Sequence, residues 1–135
     1  TKKYLIHGAF DHHLRKMDAQ SGKVIWQYKF DDVIKGTGCL WAYQNPQTGK
    51  QEILILQGSR RGTSFKAKVV PSYRAINYHT GKEVWRLNSE ATASYSRDVD
   101  GTALIIQNNA YLGLENGFFV HFDPNPQKAQ LVEEI

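Results

Sequence analysis

From Val24 to Phe30 large apolar residues fall on every second position. Val24, Trp26, Tyr28 and Phe30 share one face, and Ile25, Gln27 and Lys29 share the other. A period of two over this length predicts a β-strand with one large apolar face. Leu14 to Asp18 predicts a short strand before it, and Gln20-Ser21-Gly22-Lys23 a turn in which Gly22 supplies the positive φ of a tight hairpin. Tyr4 to Gly8 predicts a further strand. The pattern returns later in the chain. Cys39 to Tyr43 is a strand, Asn45 to Lys50 a Pro/Gly turn, and Glu52 to Gly58 ("EILILQG") a second strand. Tyr73 to Tyr78, the turn His79-Thr80-Gly81-Lys82 and Glu83 to Asn88 then complete a hairpin. The last stretch reads as "TALIIQ", a tight turn at Asn108-Asn109, "AYLGLE", a hairpin at Asn116-Gly117, "FFVHFD", a break over Pro124 to Pro126, and "AQLVEEI".

The two hairpins are nearly the same sentence. Aligned, Gly22 falls on Gly81, Lys23 on Lys82 and Trp26 on Trp85 at a constant offset, which marks an internal repeat. Three strands, then four, then four, each antiparallel to its predecessor, are what a propeller blade is made of. The fold class expected is therefore all-β: a partial β-propeller of four-stranded antiparallel blades, roughly three of them, spanning approximately 1–31, 32–89 and 90–135. The first group lacks its opening strand. Either another part of the chain supplies it, as in closed propellers, or the sequence begins in mid-blade.

The stretches "YLIHGAFDHHLRKMDAQSGKVIWQYKF", "YRAINYHTGKEVW" and "NAYLGLENGFFVHFDP" resemble the repeat of pyrroloquinoline-quinone-type (PQQ-like) β-propellers. That repeat is a strand ending in Gly, a short turn, an apolar strand ending in Asp, a Gly-Lys turn and a Trp-bearing strand. Asn77 stands where Asp is commoner. The resemblance covers nearly the whole chain. It implies that each Trp projects from the outer strand of one blade and stacks between blades, burying ~150–250 Å² of aromatic surface. The third unit has no Gly-Lys or Trp in register, and "SRRGTSFKAKVVPS" is an insertion where the family has a short turn. Propellers hold 4–8 blades, so the expectation is a fragment of a larger propeller, with an arc closed by its own copies or by another chain as the alternative.

In the quinone-dependent dehydrogenases of the resembled family, the cofactor sits at the mouth of the propeller channel with a Ca²⁺ held by carboxylate and amide groups. Its contacts cluster where each blade leads into its innermost strand. Here those lead-in segments are Asp31 to Gly38 and Ser94 to Gly101. Lys35 and Arg97 are the candidate anion-holding groups, since guanidinium and ammonium groups bind carboxylate or phosphate. Thr37, Tyr95 and Asp98 are the further candidate ligand-binding residues on the same segments. Asp98, Asp100 and Gly101 resemble the start of an EF-hand loop, but Asn109 stands where its final Glu is needed. The plainer reading is a turn at Asp100-Gly101 and a local Arg97–Asp98 ion pair.

Charge and composition narrow the function. The net charge of +4 is scattered, with no continuous basic face, so no nucleic-acid partner is expected. Cys39 is alone, which excludes an internal disulfide and the vicinal Cys pair of the quinone enzymes. No apolar run approaches the ~18 residues of a membrane span. The chain opens at Thr1 without a signal peptide, as a removed leader or a trimmed chain would leave it. His12–His13 is placed in a turn, and "RKMD" and "SRRG" on solvated faces. There is no nucleophile elbow and no P-loop. With nothing catalytic above background, the reading is a non-catalytic propeller, periplasmic or secreted, that serves as a binding scaffold without cofactor or metal. The resembled family includes the lipoprotein scaffold of outer-membrane protein assembly, which carries these repeats without a cofactor. Partners would be a protein, docked on the loops or added as a strand to a sheet edge, further propeller blades, or a small anionic or sugar ligand stacked on Trp41 or Tyr95. The alternative is part of a PQQ-dependent oxidoreductase.

Overall fold

A computed structural model describes residues 1–60, 72–87, 96, 98–129 and 133–134. Among these there is no helix. The first sheet holds β1 (Tyr4–Gly8), β2 (His13–Asp18) and β3 (Val24–Lys29). The second holds β4 (Cys39–Gln44), β5 (Gln51–Gly58), β6 (Tyr73–Asn77) and β7 (Glu83–Leu87). The third holds β8 (Leu104–Ile106), β9 (Asn109–Gly113), β10 (Phe119–Phe122) and β11 (Glu133–Glu134). Each sheet is antiparallel and ordered as the chain runs, so this is a partial β-propeller.

One turn builds the repeat. In "DAQSGK" and "NYHTGK" the Asp18 and Asn77 side chains accept the backbone N–H groups two and three residues on. The N–H of Gly22 or Gly81 returns to the carbonyl of that same Asp or Asn. The sequence reading missed that "NPQTGK" is a third copy: Asn45 accepts from Gln47 and Thr48, and Gly49 closes on Asn45. All three glycines have φ near 70° (72°, 68° and 70°), a conformation that L side chains rarely adopt.

Three expectations shift. β3 and β7 each carry a bulge, so Lys16 pairs with Trp26 but Met17 pairs with Val24. Val24 therefore leaves the face of Trp26 and Tyr28 and is 42% exposed. The third-sheet turn is Gln107–Asn108, not Asn108–Asn109. Both residues have positive φ (47° and 66°), as a type I′ turn demands, and Asn109 already pairs with Ile106. His12 sits in a turn as expected, at φ 71°, but His13 opens β2.

The cores lie between sheets. Leu14, Phe30 and Ile34 of the first sheet and its exit pack on Ile55 and Ile76 of the second. The opposite face of the second sheet, with Leu54, Leu56, Tyr73 and Trp85, packs on Leu112, Val120 and Phe122 of the third. The second sheet is buried on both faces, which is why "EILILQG" is continuously apolar while the flanking sheets alternate. The tryptophans tie these cores together. The Trp26 indole N–H donates to the Tyr78 carbonyl at 3.0 Å, one sheet onward, and Trp85 donates to the Pro124 carbonyl at 2.9 Å, again one sheet onward.

A polar knot fastens the first pair of sheets. Arg74 of β6 is 2% exposed. It donates to the Tyr28 hydroxyl at 2.8 Å, binds Asp31, lies 4.0 Å from Glu83, and stacks 5.0 Å from the Phe30 ring. Burial raises the Glu83 pKa, but hydrogen bonds from Arg86 and Tyr28, with the charges of Arg86 and Arg74, outweigh it, and the net shift is below the ordinary 4.5. A depressed carboxylate stabilises the fold above its unfolded pKa and loses that contribution as pH falls through its folded pKa. The stability difference between wild type and Glu83→Gln, read from urea midpoints, is thus expected to be largest near neutral pH and to shrink as pH falls through and below the ordinary carboxylate range. A difference that grows on acidification would contradict this wiring.

Candidate functional site

The Asp/Asn–Gly turns lie at one end of the sheets, with the β8–β9 turn and the β10–β11 connection, and the β1–β2, β5–β6 and sheet-to-sheet connections lie at the other. There the exit of the first sheet (residues 30–38) meets the approach to the third (residues 98–103). Lys35 Nζ lies 3.2 Å from Asp100 Oδ2, and the Thr102 hydroxyl donates to the Thr37 carbonyl at 2.6 Å. Gly36 lets the two backbones touch, because a Cβ there would meet the Asp100 carbonyl. The Val99 N–H donates to the Ser59 carbonyl, and the Arg60 N–H to the Val33 carbonyl, both at 3.0 Å. The described parts of the two lead-in segments are thus stitched to each other and to the end of β5.

Of the candidate residues, Lys35 and Thr37 line a cleft of about 340 Å³ between β1 and β4, together with Tyr4, His7, Leu40 and Gln57. Gln57 is buried at its floor and donates to the carbonyls of Gly36 and Gly58. The Lys35 ammonium is already matched by Asp100, so an anion there has to compete with that carboxylate. Asp98 is buried (10% side-chain exposure) and accepts from Arg60 Nε at 2.9 Å. This corrects one expectation: Arg60 of "SRRG" is a loop clasp that reaches Asp98 across 38 positions rather than a solvated residue. The expected Arg97–Asp98 pair falls outside the described residues. Arg97 and Tyr95 lie outside the described residues, as does most of the insertion. Trp41 is 5% exposed and stacked on Tyr43 at 4.8 Å, so it is a core ring and not a platform for a sugar.

A metal-bound quinone at this end would need carboxylate or amide oxygens free to hold its ion. Two buried carboxylate oxygens, Asp32 Oδ2 and Asp100 Oδ1, have no hydrogen-bond partner. Asp98 and Asp100 each hold a cation of the chain, however, and no three His, Cys, Asp or Glu side chains converge among the described residues. The described residues do not make a seat for that group.

Sequence reasoning missed Arg60 and Arg74. The first has no local signal. The second had one: a lone Arg inside the apolar strand "YRAIN" needs buried partners.

Comparison with known proteins places the fold. No family model matches the chain, and no curated protein matches it by sequence. Among solved structures, BamB from Moraxella catarrhalis superposes on 99% of this chain with a TM-score of 0.59 at 22% identity. A europium-containing methanol dehydrogenase superposes on 99% with a TM-score of 0.59 at 16% identity. The chain spans 38% of the first and 23% of the second. The fold is that of a segment of a PQQ-like β-propeller.

Proposed function

We propose that the chain is part of a non-catalytic propeller that acts as a periplasmic or secreted binding scaffold. On this reading its blades divide near residues 31 and 89, and the partner is a protein held at the loop end and along the open edge of β1. A small anionic or sugar ligand at Lys35 and Thr37 is the lesser occupant. The observation that carries the reading is the pairing of Asp100 with Lys35 and of Asp98 with Arg60: charges that a redox cofactor site would present to a ligand here knit the loops together. Among the described residues β1 pairs only with β2, so its outer edge offers backbone groups to an added strand. No helix among the described residues is long and apolar enough to cross a membrane.

The second reading, part of a quinone-dependent oxidoreductase, draws on the two orphaned oxygens of Asp32 and Asp100. Reconstitution with the quinone and Ca²⁺ separates the two. The scaffold reading expects no bound-quinone absorbance and no dye-linked oxidation of alcohols or sugars. Stoichiometric quinone uptake with turnover would replace it with the oxidoreductase reading.

A further inference from the structure

The fold gathers lysines that lie scattered along the sequence. In "DAQSGK", "NPQTGK", "NYHTGK" and "DPNPQK" a Lys stands five residues after the Asp or Asn that opens the turn. In the first three it also closes the turn, since the carbonyls of Lys23, Lys50 and Lys82 accept the N–H groups of Asp18, Asn45 and Asn77. The fourth begins alike, with Asp123 accepting the Asn125 N–H. All four share one rim. Lys2 and Lys3 join it at the start of β1, where the Lys3 carbonyl accepts the Ala19 N–H.

Lys2, Lys3, Lys23, Lys50, Lys82 and Lys128 are all exposed on this rim. The carboxylates of the same turns are Asp18 and Asp123. Asp18 is bent onto its own turn by the N–H groups of Gln20 and Ser21, and Asp123 is matched by Lys128 at 3.5 Å. Among the described residues no ion pair engages Lys23, Lys50 or Lys82. The opposite rim has the reverse sign: there, among the described residues, Asp11, Asp31, Asp32, Asp98, Asp100 and Glu115 outnumber Lys35 and Arg60. Lys50 belongs to the turn of the inner strands of its sheet, and Lys23, Lys82 and Lys128 to the turns of the outer strands. Strands lie about 5 Å apart and packed sheets about 10 Å apart, so the ammonium groups form a grid over a plane rather than a line. The turns between them hold no Arg and no exposed Trp or Tyr. They lack both the guanidinium fork that fixes one carboxylate or phosphate and the anchors on which protein interfaces depend.

We propose that this lysine-bearing rim is a docking face for an anionic lipid bilayer. A grid of mobile point charges suits headgroups that can move beneath each ammonium, whereas a folded partner would need fixed anions to match it. A duplex nucleic acid is a rod and would meet only one row of the grid. The inference goes beyond the scaffold reading and does not rest on it, since the rim lies at the far end of the sheets from Lys35 and Thr37.

The test is co-sedimentation of the full chain with mixed phosphatidylcholine–phosphatidylglycerol vesicles. Wild type should bind them, ignore vesicles of phosphatidylcholine alone, and leave the mixed vesicles as NaCl is raised. Lys23→Ala, Lys50→Ala and Lys82→Ala should each lower the partition coefficient roughly fivefold at low salt, the share of one lysine near an anionic surface, and the triple variant should lower it roughly a hundredfold. Lys23→Arg keeps the charge and should bind as wild type does. Lys29 ends β3, roughly 20 Å from Lys23 and beyond the Debye length, so Lys29→Ala should change nothing. Equal binding of wild type to charged and neutral vesicles, or none to either, overturns the proposal. So does a loss with Lys29→Ala that matches the loss with Lys23→Ala. Tighter binding to soluble polyglutamate or to duplex DNA than to the vesicles, at equal anion concentration, would overturn it in favour of a protein or a nucleic-acid partner.

Discussion

Arg74→Ala is expected to cost about 3–5 kcal/mol, the usual penalty for removing one partner of a buried, hydrogen-bonded charge network. Set against the ~5–15 kcal/mol that holds a typical domain, this leaves little. Little of it is owed to Asp31, whose side chain is half exposed and screened by water. The loss comes from elsewhere. The Tyr28 hydroxyl loses its 2.8 Å donor, Phe30 loses the guanidinium stacked on it, and the space between β6 and the first sheet is left empty. Arg74→Met restores most of the volume without the charge, so it should recover part of the cost. Urea unfolding followed by Trp fluorescence reads both variants. A cost for Arg74→Ala below about 1 kcal/mol, the scale of a surface ion pair, would show that the knot does not fasten the two sheets.

Trp85→Ala comes next, with an expected cost of about 3–5 kcal/mol as for other large aromatic truncations in cores. The ring is 6% exposed, meets Phe122 edge-on at 5.7 Å and Tyr73 at 6.0 Å, and its N–H reaches the Pro124 carbonyl. Trp85→Phe keeps the ring contacts and drops the bond, so its own, smaller cost reads mainly the lost hydrogen bond, at about 1 kcal/mol. Trp26→Ala should cost less, because that ring is only half buried, although it makes the matching bond one sheet earlier. Equal costs at the two positions, measured by denaturant midpoints, would mean that burial does not set the strength of these ties.

What could be read in advance was whatever the chain encodes locally. Alternation located the strands, Gly22 and Gly81 located the turns, and the matched Trp26 and Trp85 announced that sheets stack in sequence. The bulges escaped, because a residue added to one strand shows only against its partner, and so Val24 was assigned to the wrong face. Contacts between sheets escaped for a related reason. Periodicity says that a face is buried but not which atoms meet across it, so Arg60 with Asp98 and Arg74 with Tyr28 are invisible until the sheets are in register with each other. Lys35 and Thr37 lie on a lead-in segment that strand order alone locates, because it fixes which segments lead into an innermost strand. Their partners, Asp100 and Thr102, follow from a close backbone approach that no pattern announces.

The two rims of this molecule obey different rules. Along one, beside the tight β8–β9 turn and the longer β10–β11 connection, three turns of the same length repeat the same side-chain and backbone bonds, so an inserted or deleted residue in any of them would break a structure that is written three times. Along the other, connections range from the short link between Gly8 and His13 to the long one between Gly58 and Tyr73, and the sheets register regardless. Evolution is thus free to rewrite the loop rim while the three matched turns keep the wedge-to-wedge spacing. A lineage of such chains can acquire new specificities by lengthening loops without renegotiating how its sheets are held.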